Sequence, residues 1–224
     1  LAKSHYRWGQ KADVVVRMPC GGTVGAGPFH SQSNEAWFTT VPGLKVVYPS
    51  FPYEAKGLLL TAFEDPNPVL FFEHKKLYRS VSGPVPEVPY HLAFGQASYR
   101  AEGEKLVVIT YGLGVHWALS ALAEFPANTF SILDLNTLVP WDREMVFAAV
   151  RKHNKVLLLQ EDSLTGGFMG EVAATISEHC FEALDAPVKR LGAMDTPIPF
   201  AAELEAGYMP EKRLKAAIQE LLEY

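Results

Sequence analysis

The chain has 224 residues and a mass of 24.7 kDa, with 48% hydrophobic and 20% charged residues, so it fits one large α/β domain or two small ones and excludes disordered, collagen-like and coiled-coil classes. Twenty Lys and Arg against 25 Asp and Glu give a formal charge of -5 and a pI near 5.8, the wrong sign for gripping phosphate backbones, so nucleic acid is not an expected partner. Its two cysteines, Cys20 and Cys180, have no second Cys or His at metal-ligand spacing, which argues against a disulfide scaffold and a zinc site, and its apolar runs are too short to span a bilayer.

The first residues, Leu1-Ala-Lys-Ser-His-Tyr-Arg-Trp8, carry neither an initiator Met nor the zones of a signal peptide, and read as a fragment or a processed product. Val14, Val15 and Val16 predict a buried strand running into the glycine-rich turn after Cys20. A helix follows, with Ser33, Asn34 and Glu35 as capping side chains ahead of Ala36, Trp37 and Phe38, and Pro42-Gly43 as its stop. Lys45-Val-Val-Tyr-Pro reads as a second strand. Pro52 opens a helix whose Ala55, Leu58, Leu59, Ala62 and Phe63 share one face, and Val69-Leu-Phe-Phe-Glu is a third strand. Strand and helix alternate, which predicts a parallel sheet with helices on its faces.

Residues 77–96 break this pattern, with four Gly and Pro between Gly83 and Pro89, and read as a linker between domains at 1–76 and 97–224. Alternation resumes with strands at 106–110, 130–135 and 155–160, helices at 115–125, 143–153 and about 167–184, and a short strand near 188–191. The final helix has Leu214, Ile218, Leu221 and Leu222 on one face.

The most unusual segment is Gly21-Gly-Thr-Val-Gly-Ala-Gly-Pro-Phe-His30-Ser-Gln-Ser, a loop suited to touch a ligand or another chain. His30 occupies the third glycine position of a dinucleotide fingerprint, and no Lys followed by Ser or Thr closes a phosphate loop. His30 follows a strand's carboxyl end, where open parallel sheets place ligands and where an imidazole can move a proton; taken alone, it reads more readily as a hydrogen-bonded structural histidine. The other six histidines, at 5, 74, 91, 116, 153 and 179, show no clustering and read as structural. Cys20 reads as a small buried residue sooner than a reactive thiol. Leu164-Thr-Gly-Gly-Phe-Met-Gly170 opens a helix that could bind an anion or simply pack closely, and Asp142 caps the helix after it.

Together, His30-Ser-Gln-Ser-Asn-Glu35-Ala, Pro42-Gly-Leu-Lys-Val-Val, Ala55-Lys-Gly-Leu-Leu, Glu64-Asp-Pro-Asn-Pro-Val, Leu77-Tyr-Arg, Val139-Pro-Trp-Asp142, Leu164-Thr-Gly-Gly-Phe and Asp195-Thr-Pro-Ile-Pro resemble, collinearly and over nearly the whole chain, the beta subunit of thiamine-diphosphate-dependent 2-oxo acid dehydrogenases. His30-Ser-Gln-Ser and Leu164-Thr-Gly-Gly-Phe favour the branched-chain type over the pyruvate type and over transketolase itself.

The resemblance implies an α/β fold of two parallel-sheet domains: the second half of a transketolase-type pyrimidine-binding domain, then a transketolase C-terminal domain. It implies oxidative decarboxylation of a branched-chain 2-oxo acid, with His30 transferring a proton as the acyl group passes to lipoamide. It implies a monovalent-cation loop, preferably for potassium, on the backbone oxygens of Ala62, Asp65 and Asn67, with the Val14 and Val15 region as another. Thiamine diphosphate and its magnesium would be held in the assembled enzyme by an alpha subunit, or the alpha region of a fusion, and by an upstream segment bearing the cofactor's glutamate. The fragment alone is therefore expected to be inactive. A second beta chain is implied, and so is a basic subunit-binding domain of a lipoyl acyltransferase, docking at Glu220, Glu223 and the Tyr224 carboxylate beside Glu203, Glu205 and Glu211. No membrane is implied. A bacterial cytoplasm is favoured over a mitochondrial matrix, and a non-catalytic dimerisation and docking role is the competing reading. The family's Asp-Leu-Arg-Thr stands here as Asp134-Leu-Asn136-Thr.

Overall fold

The computed structural model describes the backbone of residues 1–224 and every side chain but that of His5, so the reading of His5 as structural lies outside the described residues. Its strands make two sheets. The first contains β1 (Val15–Cys20), β2 (Lys45–Val47), β3 (Val69–His74) and β7 (Thr137–Val139) in the order β1-β3-β2-β7. The second contains β4 (Ser98–Ala101), β5 (Leu106–Thr110), β6 (Phe130–Asp134), β8 (Val156–Ser163) and β9 (Lys189–Ala193) in the order β4-β6-β5-β8-β9. The pairings among β1, β3 and β2, and among β6, β5, β8 and β9, are parallel, as strand and helix alternation requires. One edge of each sheet is antiparallel: β7 against β2, and β4 against β6.

The helices are α1 (Ala2–Trp8), α2 (Gly27–His30), α3 (Ala36–Thr39), α4 (Pro52–Glu64), α5 (Leu77–Ser80), α6 (Leu113–Leu122), α7 (Arg143–His153), α8 (Phe168–Cys180), α9 (Ala202–Tyr208) and α10 (Glu211–Leu222). None is long and apolar enough to cross a membrane. Asp142 caps α7 as its position predicts, its Oδ1 accepting from the Met145 amide at 3.0 Å. Leu214, Ile218 and Leu221 of α10 enter the second sheet's core.

Three local expectations need correction. Val14 and Val16 are each 38% exposed because β1 lies at a sheet edge, and the strand runs on to Cys20. Phe63 at the end of α4 is exposed, and burial on that helix centres on Gly57, Leu58 and Ala62. Neither Ser33, Asn34 nor Glu35 caps α3; the Glu35 side chain turns into the interior instead.

The two halves share polar and apolar contacts. Tyr48, after β2, packs on Phe72 of β3 and on Tyr111, after β5, with ring centroids 5.7 and 5.3 Å apart. Residues 81–97 run across α4: the Leu92 amide donates to the Gly57 carbonyl at 3.3 Å, and the Thr61 hydroxyl donates to the Leu92 carbonyl at 2.8 Å. Arg100 of β4 reaches Glu54 of α4 at 2.8 Å and Asp134 of β6 at 2.9 Å, with its guanidinium over the Phe51 ring.

Candidate active site at the junction of the two sheets

Parallel strands aim their carboxyl ends the same way, and here β1 and β3 of the first sheet end against β8 of the second. Cys20 ends β1, His74 ends β3, and Glu161 lies near the end of β8. Residues 21–33 leave the end of β1 as a loop whose neck is closed by the Gly21 amide donating to the Gln32 carbonyl at 3.0 Å. Gly21 is needed there: its φ is +89°, and a Cβ would enter the His74 ring. Within the loop the Ala26 amide donates to Ser31 Oγ at 3.1 Å, Pro28 stands in the first turn of α2, and Phe29 packs against Phe200.

Glu161 holds this loop. Its Oε1 accepts from the Gly22 amide at 2.7 Å and from Ser33 Oγ at 2.9 Å, while its Oε2 is 2.7 Å from His74 Nε2. Burial alone would raise the Glu161 carboxyl, but the His74 charge and ring bond, the Gly22 amide and the Ser33 hydroxyl hold it below the usual carboxylate range. Glu205 adds a bond to the Thr23 amide at 2.8 Å and is itself buried, so its expected place on an acidic surface is wrong. His30 ends α2 with an exposed side chain, its carbonyl receiving the Lys75 ammonium.

Beneath the loop lie further acids. Glu35 is fully buried and accepts from the Tyr111 hydroxyl at 2.7 Å through Oε1, while Oε2 has no partner. Burial, helped by the nearby Asp162, pushes its carboxyl up to about 8 against the opposing Tyr111 bond. Burial also pushes Asp162 up to about 6, against its bond from the Ser163 amide and with Glu161 and Asp195 adding. Cys20 is buried, with Sγ bonded to the Tyr48 hydroxyl at 3.1 Å; burial and the Glu35 charge push its thiol up, so it is the inert small residue expected.

The remaining sequence-derived residues lie elsewhere. At the Ala62, Asp65 and Asn67 turn, Asp65 Oδ1 accepts from Asn67 N and Nδ2, each at 2.9 Å, and Lys45 pairs with its other oxygen. The Ala62 carbonyl receives the Asp65 amide at 3.4 Å. Glu220 pairs with Lys189 of β9, whereas Glu223 and Tyr224 are exposed. A Cβ on Gly167 would strike the Gln160 side chain, which explains that glycine by close packing. His74, Glu161, Glu205, Glu35 and Tyr111 escape sequence reading as parts of a site. The one local signal is that Cys20, His74 and Glu161 stand at or near carboxyl ends of parallel strands.

Comparison with known proteins agrees with this architecture. The pyrimidine binding domain of transketolase matches residues 2–81, and the transketolase C-terminal domain matches residues 95–213. The 2-oxoisovalerate dehydrogenase subunit beta of Bacillus subtilis (strain 168) is 48% identical over 100% of this chain and 70% of its own length. The pyruvate dehydrogenase E1 component subunit beta of the same organism is 39% identical over 95% of this chain and 66% of its own length. A solved structure, the split gene transketolase, inactive beta4 tetramer, superposes with a TM-score of 0.75 at 23% identity over 95% of this chain and 67% of that one, a likeness of fold.

Proposed function

The chain belongs to the 2-oxoisovalerate dehydrogenase beta-subunit family, built on transketolase pyrimidine-binding and C-terminal domains, and from that premise we propose that it supplies the acyl-transfer side of an oxidative decarboxylase for a branched-chain 2-oxo acid. The observation that carries this reading is His30: an exposed imidazole on a loop anchored at the carboxyl ends of parallel strands, where such sheets receive ligands. A branched-chain substrate is favoured over pyruvate by the higher identity to the 2-oxoisovalerate relative.

The family depends on thiamine diphosphate, which supplies the electron sink for decarboxylation when bound. The residues of this chain do not make up that cofactor's site. Among the described residues no three His, Cys, Asp or Glu gather to hold a metal. Glu161, Glu73 and Glu205 are each engaged, with His74, Arg17 and Thr23, and Glu35 is sealed in the core. The diphosphate, its magnesium and the cofactor's acid therefore belong, in this proposal, to an alpha partner and a further beta segment. A second beta chain and a lipoyl acyltransferase domain at the Glu223 and Tyr224 edge complete the proposed assembly, with a potassium ion at the Ala62, Asp65 and Asn67 carbonyls.

What this chain's residues would do is specific. When the lipoyl disulfide opens, one sulfur bonds the acyl carbon and the other leaves as a thiolate; the His30 imidazolium gives that thiolate its proton, an effect of roughly 10²- to 10⁴-fold in rate. The test is His30→Ala in the enzyme assembled with its alpha partner. Reductive acylation of a lipoyl domain collapses, while decarboxylation followed with an artificial electron acceptor persists. Equal loss of both activities would assign His30 to an earlier step, and loss of neither would make it structural.

A further inference from the structure

A proton donor is useful only when held within hydrogen-bond reach of its acceptor, and His30 sits on a segment poorly built to hold itself. Gly21, Gly25 and Gly27 all have positive φ, and with Gly22 the loop's backbone carries the conformational freedom of four glycines in seven residues. Its own bonds close the neck at Gly21 and Gln32 and brace Ala26 on Ser31, but neither ties it to the sheets.

Glu161 does tie it. The carboxylate projects from β8, which is flanked by β5 and β9 in the second sheet, and it accepts one bond before His30, at Gly22, and one after it, at Ser33. Its remaining oxygen is braced by His74, whose ring also fills the space left by the missing Cβ of Gly21. Three donors on one buried carboxylate are charge-assisted bonds, stronger and more directional than neutral ones. Resting on the reading of His30 as proton donor, we infer that Glu161, backed by His74, is a positioning residue: it clamps both ends of the His30 loop so that the imidazole meets the acyl acceptor at a fixed place.

Hydrogen exchange on this chain and kinetics on the assembled enzyme test the clamp separately from the chemistry. Glu161→Ala should speed amide exchange across residues 22–34 by about tenfold or more, with β5 and β8 amides as protected as in the parent. In the assembled enzyme the same variant should lower kcat for lipoyl acylation at least about tenfold while KM for the 2-oxo acid holds. Glu161→Gln, which keeps an acceptor for Gly22 and Ser33 but turns an amide N–H toward the His74 Nε2–H, should recover part of both effects. Unchanged exchange in Glu161→Ala overturns the clamp. So does a loosened loop with undiminished acylation in an enzyme that His30→Ala inactivates. If His30→Ala itself leaves acylation intact, the proposed function fails first and the positioning role falls with it, an outcome recognisable because exchange has still responded.

Discussion

Replacing Glu35 by Gln measures what a sealed carboxylic acid does to this fold. The Glu35 carboxyl rises from its ordinary 4.5 to about 8, because burial removes it from water and Asp162 adds like charge. The native protein thus keeps a proton that the unfolded chain surrenders above about pH 4.5. Stability is full below that point and is lost as pH climbs towards 8, at up to about 1.4 kcal/mol per pH unit. Three and a half pH units set a ceiling of about 5 kcal/mol on the loss. Gln has no proton to lose, keeps an oxygen for Tyr111, and places a second donor hydrogen where Glu35 Oε2 already lacks a partner, at a cost of about 1–3 kcal/mol. Glu35→Gln should therefore be the less stable protein at pH 5 and the more stable one at pH 8.5. Urea unfolding followed by circular dichroism at half-unit pH steps gives the difference directly. The difference between the two proteins also cancels the contribution of Asp134, whose carboxyl burial raises to about 6 and which does not act on Glu35. A difference that stays constant with pH, or moves against the variant as pH rises, refutes the reasoning.

Arg100→Met should cost about 3–5 kcal/mol in urea unfolding, because it strands Asp134 in the core without its cation; adding Asp134→Asn should recover most of it, and a single-variant loss under about 1 kcal/mol would count against the pairing. Gly27→Ala forces a side chain into positive φ and into the Phe200 ring, so its Tm should fall further than that of Gly166→Ala, which meets strain of about 1–2 kcal/mol but open space. At the acidic edge, Glu223→Gln should weaken a basic acyltransferase domain more at low salt than Glu220→Gln, whose charge Lys189 already offsets; equal effects would dissociate the edge from docking. Potassium chloride should raise the Tm above sodium chloride at equal ionic strength if the Ala62 turn holds the proposed cation, and identical values would remove it.

Segments with strong local signals are legible in the sequence. β5 and α7 lie at their expected residues because Leu106 to Ile109 is an unbroken apolar run ending in the β-branched Thr110, and Asp142 marks the start of an amphipathic helix. β4, β7, α2, α5 and α9 go unread since each is short and owes its form to tertiary partners; β7 exists by pairing Val139 with Val46 across the two halves. Asn136, a departure from the family pattern, has a structural account: its φ is +57°, a region Asn tolerates, and its amide spans Arg100, Gln96 and Ser98. His30 is visible because a glycine-rich loop follows a strand. Glu161 is not, because it meets Gly22 across 139 positions of sequence and no local pattern announces such a contact.

That separation explains why the junction is polar. Apolar side chains packed between two sheets tolerate small slides, since dispersion and burial have little direction. A carboxylate with three donors has one good placement, and displacing it strands a buried charge. Glu161 on Gly22, Ser33 and His74, Glu205 on Thr23, and Arg100 between Glu54 and Asp134 each join residues of the two halves. Two of the three act on the loop that carries His30, where hydrophobic packing is thin and glycines are dense. Directional bonds are concentrated where the backbone is least able to fix itself, so an exposed imidazole acquires a defined position without being buried.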